Sequence, residues 1–249
     1  MSGDVVFYVL ACIAAFLVGA SKGGLPMVGV LGVPVLALVI SPVAAAALLL
    51  PVYIVSDMVG LWAYRRAFDR RNLIILLPAM IFGVGVGWAT ARITQEWMVT
   101  LLVGVIGLAF CINAVMQHPD APPKPADVPR GLFWGSIAGF TSFVSHTGGP
   151  PYQMYVLPQK LEKMVFAGTS TIAFAIINAL KLLPYWALGQ FNPGNLKIAA
   201  MLSPVSIAGA LLGYKLTAII PEKIFFKMVE IALAVVSAKL IFDAIFKAA

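Results

Sequence analysis

Two short polar breaks interrupt the apolar sequence, and their side chains are of the kinds that bind small anions. The first break reads Ser21-Lys22-Gly23-Gly24-Leu25-Pro26, and the second reads Ser145-His146-Thr147-Gly148-Gly149-Pro150-Pro151. An ammonium group, hydroxyls and the backbone N–H groups of a Gly-Gly turn all donate hydrogen bonds to an oxyanion. Paired interruptions at corresponding places in two halves of a membrane chain indicate a binding site near the bilayer midplane. We therefore predict an anion site to which both breaks contribute.

Lys22 is the distinctive residue of the first break, and it has two interpretations. A lysine between apolar helices is unfavourable unless it is paired, hydrated or functional. With Ser21, Gly23 and Gly24 it is therefore a candidate substrate ligand, in which the Gly-Gly turn supplies an anion nest. In the other interpretation Lys22 ends a helix and its ammonium reaches the membrane interface along its apolar stem.

The second break carries more polar side chains than the first. Its candidate substrate ligands are Ser142, Ser145, His146, Thr147, Gly148, Gly149 and Gln153. Helical spacing would place Ser142, Ser145 and His146 on one face. Histidine is the one side-chain type in this break that can titrate near neutral pH, so His146 is also a candidate for proton coupling. The alternative is that the hydroxyls bond carbonyls of their own helix, which suits Thr141 well.

Three polar residues lie in apolar segments away from the breaks. Asp57 is about two turns from an arginine-rich loop, so it is expected to pair with an arginine there or to act as a proton site. Asn178 and Lys181 occupy the related part of the second half and are secondary site candidates. Lys181 is expected to face an outer vestibule.

The composition indicates an integral membrane protein. Hydrophobic residues make up 61% of the chain and charged residues 11%, and the long apolar runs lack strand-like alternation. They predict an all-α polytopic fold, because only helices and closed barrels satisfy their backbone in lipid. The net charge of +7 is spread over short loops, so no nucleic-acid partner is expected. No cofactor, metal site or enzyme is expected either, since the chain lacks GxxxxGK[ST], HExxH, CxxC and GxSxG spacings.

About 8–10 transmembrane helices are predicted, because a full span needs about 20 apolar residues. The segments 27–40 and 152–158 are too short, and each flanks one of the breaks. We predict that they form two short or re-entrant helical hairpins. Their irregular backbone must line a cavity or be buried by other helices, since lipid cannot satisfy it.

The chain divides into two related halves. Residues 118–129 form a polar, proline-rich cytoplasmic linker between a first transmembrane repeat, 1–117, and a second, 130–249. Matches such as Gly83 with Gly209 and Gly87 with Gly213 occur in order at a near-constant offset, which predicts an internal duplication. The loop 65–71 has four arginines and its counterpart has no charge. The repeats are therefore predicted to be inverted, with both termini periplasmic.

At these breaks the chain resembles the TauE/SafE family of sulfite exporters and toluene-sulfonate uptake permeases. The residues that carry the resemblance are Gly19-Ala20-Ser21-Lys22-Gly23-Gly24 with Pro34, then Gly139-Phe140-Thr141-Ser142, His146-Thr147-Gly148-Gly149-Pro150-Pro151 and Leu157-Pro158-Gln159. The resemblance spans nearly the whole chain. It implies a secondary transporter of sulfite or organosulfonates across the bacterial inner membrane, with export as the expected direction. From the resemblance, a glycine or another small residue is expected in many relatives at the position of Lys22.

The residues themselves indicate a small anion carried by alternating access. Three alternatives stay open, namely a small-carboxylate transporter, an anion channel and an intramembrane enzyme that uses Ser142 or Ser145 with His146. The expected partners are the small anionic substrate and the lipid bilayer. A homodimer is left open.

Overall fold

The computed structural model describes residues 2–26, 28–91, 93–116, 122–191 and 193–246, and within these ranges the fold is helical without strands. The α-helices are α1 Ser2–Lys22, α2 Gly32–Leu36, α3 Pro42–Tyr64, α4 Arg70–Ala89, α5 Glu96–Met116, α6 Val128–Ser145, α7 Gly149–Val156, α8 Lys163–Ala187, α9 Pro193–Ile219 and α10 Glu222–Phe246. Two 3-10 turns lie at Val28–Leu31 and Leu157–Gln159. Residues 118–121 of the predicted linker lie outside the described residues.

Five of the described helices are long and apolar enough to cross a membrane. They are Val5–Lys22, Val43–Tyr64, Arg70–Ala89, Lys163–Ala187 and Pro193–Ile219. The first is longer than the sequence predicts, since α1 has 21 residues and continues to Lys22 in the first break. The all-helical class predicted from the composition is confirmed for the described residues.

The two segments predicted to be short are short. Within 27–40 the helical structure consists of the turn Val28–Leu31 and the five residues of α2. Around 152–158 it consists of the eight residues of α7 and the turn Leu157–Gln159. Neither segment has the length of about 20 residues that a full span needs.

Unit 1 is a compact body made of Met1–Phe68 and Ala167–Ile220. Within it α1 packs closely along α9, because glycines, which have no side chain, lie at the contact. A Cβ atom at Gly19 would lie 1.9 Å from the carbonyl oxygen of Ser206, and one at Gly209 would lie 2.4 Å from that of Phe16. Such close backbone approach is typical of helix pairs in membranes.

Unit 2 is the second compact body, made of Asp69–Phe166 and Pro221–Ala249. Within it α4 packs closely against α6, and glycines again lie at the contact. A Cβ atom at Gly139 would lie 2.0 Å from the carbonyl oxygen of Met80, and one at Gly83 would lie 2.1 Å from that of Ser136. This is the arrangement seen within unit 1, with Gly83 in the role of Gly209. Each unit combines residues from both halves of the chain. The units therefore do not correspond to the predicted repeats 1–117 and 130–249, and those boundaries stay a prediction.

A reciprocal amide pair fixes the turn after α7 to the start of α4 in unit 2. The Nδ2 of Asn72 donates to Oε1 of Gln159 at 2.8 Å, and the Nε2 of Gln159 donates to Oδ1 of Asn72 at 3.0 Å. The same Nε2 also donates to the carbonyl of Tyr155 at 3.1 Å. Both side chains are buried, and because their donors and acceptors match, the pair positions this short segment.

Candidate functional site

The first break is the C-terminal cap of α1. The N–H of Gly24 donates to the carbonyl of Ser21 at 3.2 Å, and the N–H of Leu25 donates to that of Ala20 at 3.2 Å. This is the Schellman pattern, in which the residue after the helix has positive φ. Gly24 supplies it with φ +113°, a conformation that favours glycine. The Gly-Gly pair therefore ends the helix immediately after Lys22.

The first break does not form the anion nest that its Gly-Gly turn predicts. The N–H of Gly23 donates to the carbonyl of Gly19 at 3.0 Å, and those of Gly24 and Leu25 are used by the cap. The carbonyl of Gly23 in turn accepts from the hydroxyl of Tyr64 at 2.7 Å. Because these backbone donors are satisfied internally, any anion at this break must be held by side chains.

The side chain of Lys22 is buried within unit 1 instead of reaching the interface. Lys22 is 5% exposed, and its Nζ lies 2.9 Å from Oδ1 of Asp57 on α3. The same Nζ lies 5.1 Å from the ring centroid of Tyr53 and 5.8 Å from that of Phe174. Aromatic faces stabilise a desolvated cation. The interface interpretation of Lys22 is therefore wrong for this structure.

Asp57 is fully buried, and its partners differ from those that the sequence predicts. Its ion pair is with Lys22, not with an arginine of the 65–71 loop. The Nδ2 of Asn178 donates to Oδ2 of Asp57 at 2.9 Å. Oδ1 is the carboxylate oxygen that contacts the Nζ of Lys22, at 2.9 Å. Asp57, Asn178 and Lys22 thus form one polar cluster in unit 1.

Lys181 adds a second lysine amine to this cluster. It lies one helical turn after Asn178 on α8, is 0% exposed, and interacts electrostatically with both Lys22 and Asp57. The outer vestibule predicted for Lys181 is therefore wrong for this structure, because its side chain lies in the interior of unit 1.

Tyr53 and Phe174 also belong to the site, although they are not among the residues predicted from the sequence. Tyr53 precedes Asp57 by one helical turn, so the shared face of α3 was a usable signal. Its hydroxyl donates to the carbonyl of Gly29 at 3.0 Å, which holds the ring in place beside Lys22. Phe174 lies in an apolar stretch of α8 where nothing in the sequence distinguishes it from a packing residue.

The second break begins with an unusual helix end in unit 2. His146 follows α6 in the left-handed region, with φ 54° and ψ 23°, and its N–H donates to the carbonyl of Ser142 at 3.2 Å. A residue with a side chain is disfavoured in this conformation. Because His146 leaves the helical path there, it does not continue the face of Ser142 and Ser145 as predicted.

The hydroxyls of the second break bond to one another and to the backbone. Ser145 Oγ and Thr147 Oγ1 are 2.7 Å apart, and Thr141 Oγ1 donates to the carbonyl of Ile137 at 2.9 Å. The interpretation of Thr141 as a residue that bonds its own helix is confirmed. Ser142, Ser145, Thr147 and His146 are all buried, with at most 9% exposure. A hydroxyl pair of this kind can turn its hydrogens toward an added acceptor.

The Gly-Gly pair of the second break starts a helix, whereas that of the first break ends one. Gly148 has ordinary right-handed backbone angles and caps α7, which begins at Gly149. Pro150 and Pro151 follow in the first turn and have no N–H groups, so few backbone donors remain at this helix start. Gln153 lies on α7 and is fully buried.

The positive φ of His146 predicts how substitutions at this position change the stability of the protein. We expect the His146→Gly protein to be more stable than the His146→Ala protein by about 1 kcal/mol, because glycine adopts positive φ without steric strain. Equilibrium unfolding of both variants in mixed detergent micelles measures the difference. Equal stabilities would contradict the left-handed conformation.

The helices and their buried polar breaks define a multi-pass helical membrane protein. The family described as Sulfite exporter TauE/SafE matches residues 11–240, and the chain belongs to this family of transporters. The resemblance seen at the breaks is thereby confirmed. Comparison with curated proteins and with solved structures gave no match.

Proposed function

We propose that this protein is a secondary transporter that exports small sulfur-containing anions, such as sulfite or organosulfonates, across the bacterial inner membrane. The observation that carries the proposal is the family match over residues 11–240, which leaves only the ends of the chain outside it. The transport mechanism would be alternating access, with the anion bound near the bilayer midplane.

The buried cation of unit 1 supports an anionic substrate. In unit 1 the proposed anion contacts are Lys22 and Ser21, and Gly23 and Gly24 end α1 directly after the lysine. A sulfonate group has three acceptor oxygens, and hydrogen bonds between such oxygens and an ammonium group are among the stronger ones in proteins. Asn178 and Lys181 are secondary contacts through the same cluster.

Unit 2 offers a second set of anion contacts around its break. The proposed contacts are the side chains of Ser142, Ser145, His146, Thr147 and Gln153 and the backbone of Gly148 and Gly149. Buried hydroxyls and an imidazole suit an oxyanion, because all of them can donate hydrogen bonds to it. His146 and Asp57 are the two candidates for a coupled proton.

The topology of the proposal follows the charges and the internal duplication. The similar glycine contacts of α1 with α9 and of α4 with α6 support two related repeats. The arginines of the 65–71 loop support a cytoplasmic location for that loop. With inverted repeats, both termini would then face the periplasm.

Lys22 gives the sharpest test of this function. We expect Lys22→Met to lower the apparent affinity for a sulfonate at least about tenfold, because a charged hydrogen bond is lost. The measurement is saturable uptake of radiolabelled sulfite and of an alkanesulfonate into proteoliposomes. The matched control is Lys215→Met, which removes an exposed lysine of α9 in the same unit.

Two results would count against the proposal in different ways. No saturable flux of any sulfur oxyanion in the wild-type protein would overturn the substrate class, and saturable flux of carboxylates instead would replace it. Equal affinities in Lys22→Met and Lys215→Met would remove Lys22 from the site.

A further inference from the structure

The cluster of Lys22, Asp57, Asn178 and Lys181 contains an internal anion where the proposed substrate would bind. The carboxylate of Asp57 already lies 2.9 Å from the Nζ of Lys22, and the rings of Tyr53 and Phe174 flank the same ammonium. A second anion at Lys22 would lie close to this carboxylate. Two like charges about 5 Å apart at an effective dielectric near 20 weaken binding on the order of a hundredfold.

We infer that Asp57 is a built-in counterion of Lys22 that takes up one proton when a substrate anion binds. The inference rests on the proposed function and assigns its proton coupling to one residue. In the empty protein Asp57 neutralises Lys22. In the loaded protein the anion neutralises Lys22, and Asp57 is a neutral carboxylic acid.

The exchange balances in atoms and charge. One anion and one proton enter, the proton bonds to Oδ1 of Asp57, and the contact of that oxygen with Lys22 is replaced by the contact of the anion. The net charge of the cluster does not change. Oδ1 is the oxygen available for the proton, because Oδ2 accepts from Asn178 at 2.9 Å. Asn178 is thus a positioning residue, since its amide can hold Oδ2 in either protonation state.

The surroundings of Asp57 favour this residue as the group that exchanges the proton. The charged and titratable groups near it are Lys22 from α1, Lys181 from α8 and Tyr53 from its own helix, with Tyr185 of α8 next to Tyr53. Unit 1 has one other acidic residue in its sequence, Asp4 at the start of α1. Asp57 is therefore the carboxylate able to compete with an anion for Lys22 in the core of this unit.

A transport consequence follows from the charge balance. A singly charged anion that moves with one proton carries no net charge, so the membrane potential does not drive it. The net direction is then set by the anion gradient together with the pH gradient. Export occurs when the internal anion concentration outweighs the opposing proton gradient.

Calorimetric titration of the purified protein tests the inference. An alkanesulfonate is the probe, because it stays ionised across the pH range, and titrations in two buffers with different ionisation enthalpies count the protons taken up. We expect about one proton per bound anion, with an affinity that rises about tenfold for each unit of falling pH. In Asp57→Asn we expect no proton uptake and an affinity independent of pH. The matched control is Asp243→Asn, which breaks the Lys239–Asp243 pair of α10 in unit 2 and should leave the proton count unchanged.

The outcomes separate this inference from the proposed function. Sulfonate binding without proton uptake by the wild-type protein overturns the inference and leaves the proposed function standing. This measurement needs only the wild-type protein, so it does not depend on whether Asp57→Asn folds. Proton uptake that survives in Asp57→Asn but is lost in His146→Gly also overturns it. Binding of propionate but no sulfonate, with one proton and dependence on Asp57, supports the inference and overturns the substrate class. No binding of either probe overturns both.

Discussion

The Asp57→Ala protein is expected to be less stable than the wild type by about 3 to 5 kcal/mol, because the substitution leaves Lys22 buried without its counterion. Lys22 is 5% exposed and Asp57 is 0% exposed, so bulk water does not solvate the ammonium that loses its carboxylate. Asn178 would lose the acceptor of its hydrogen bond at the same time.

A double-mutant cycle measures the coupling of the pair. We expect Lys22→Met/Asp57→Leu to recover most of the lost stability, since apolar side chains of similar volume replace a buried ion pair at little cost. Equilibrium unfolding in mixed detergent micelles gives the four free energies. The control is Asp243→Ala, whose partner Lys239 is 40% exposed, so the expected loss is only about 0.5 kcal/mol. Additive single and double effects would show that Lys22 and Asp57 are not paired.

Gly83→Ala is expected to destabilise the protein by about 1 to 3 kcal/mol, because its new methyl group would overpack the contact of α4 with α6. A Cβ atom at Gly83 would lie 2.1 Å from the carbonyl oxygen of Ser136 and 2.7 Å from the N of Phe140. Both are backbone atoms, so the whole helix must move to make room.

Gly85→Ala is the matched control, on the same helix and two residues away. A Cβ atom at Gly85 meets nothing within 4 Å. Alanine there should be neutral or stabilising by up to about 1 kcal/mol, because it lowers the entropy that the helix loses on folding. Unfolding of the two variants under identical conditions provides the comparison. Similar stabilities would contradict the close packing of α4 on α6.

The sequence predicted much of the fold because membrane helices are encoded by long apolar runs. The short elements at 27–40 and 152–158 and the helical pairing of Lys239 with Asp243 were also predictable from length and spacing. The capping role of Gly24 was not, because a Gly-Gly pair can equally end a helix or open a nest. The N–H groups of Gly23, Gly24 and Leu25 all donate to carbonyls of α1, and this shows that the pair ends a helix and does not open a nest.

The polar cluster of unit 1 contains residues that the sequence identifies, but the sequence does not determine how they pair. Lys22, Asp57, Asn178 and Lys181 could each be selected as unusual residues in apolar helices. Their pairing depends on how α1, α3 and α8 pack, and spacing along one helix contains no such information. The arginine loop was the nearer partner for Asp57 in sequence, whereas Lys22 is its partner in space.

Counterflow in proteoliposomes is the measurement that tests the central claim most directly. Vesicles containing the purified protein are loaded with unlabelled sulfonate and diluted into a trace of the labelled compound. A carrier of sulfur-containing anions predicts a transient accumulation of label that saturates with concentration, is stimulated by internal substrate and falls sharply in Lys22→Met. Label that only equilibrates, with no stimulation by internal sulfonate, would contradict a carrier and indicate a channel.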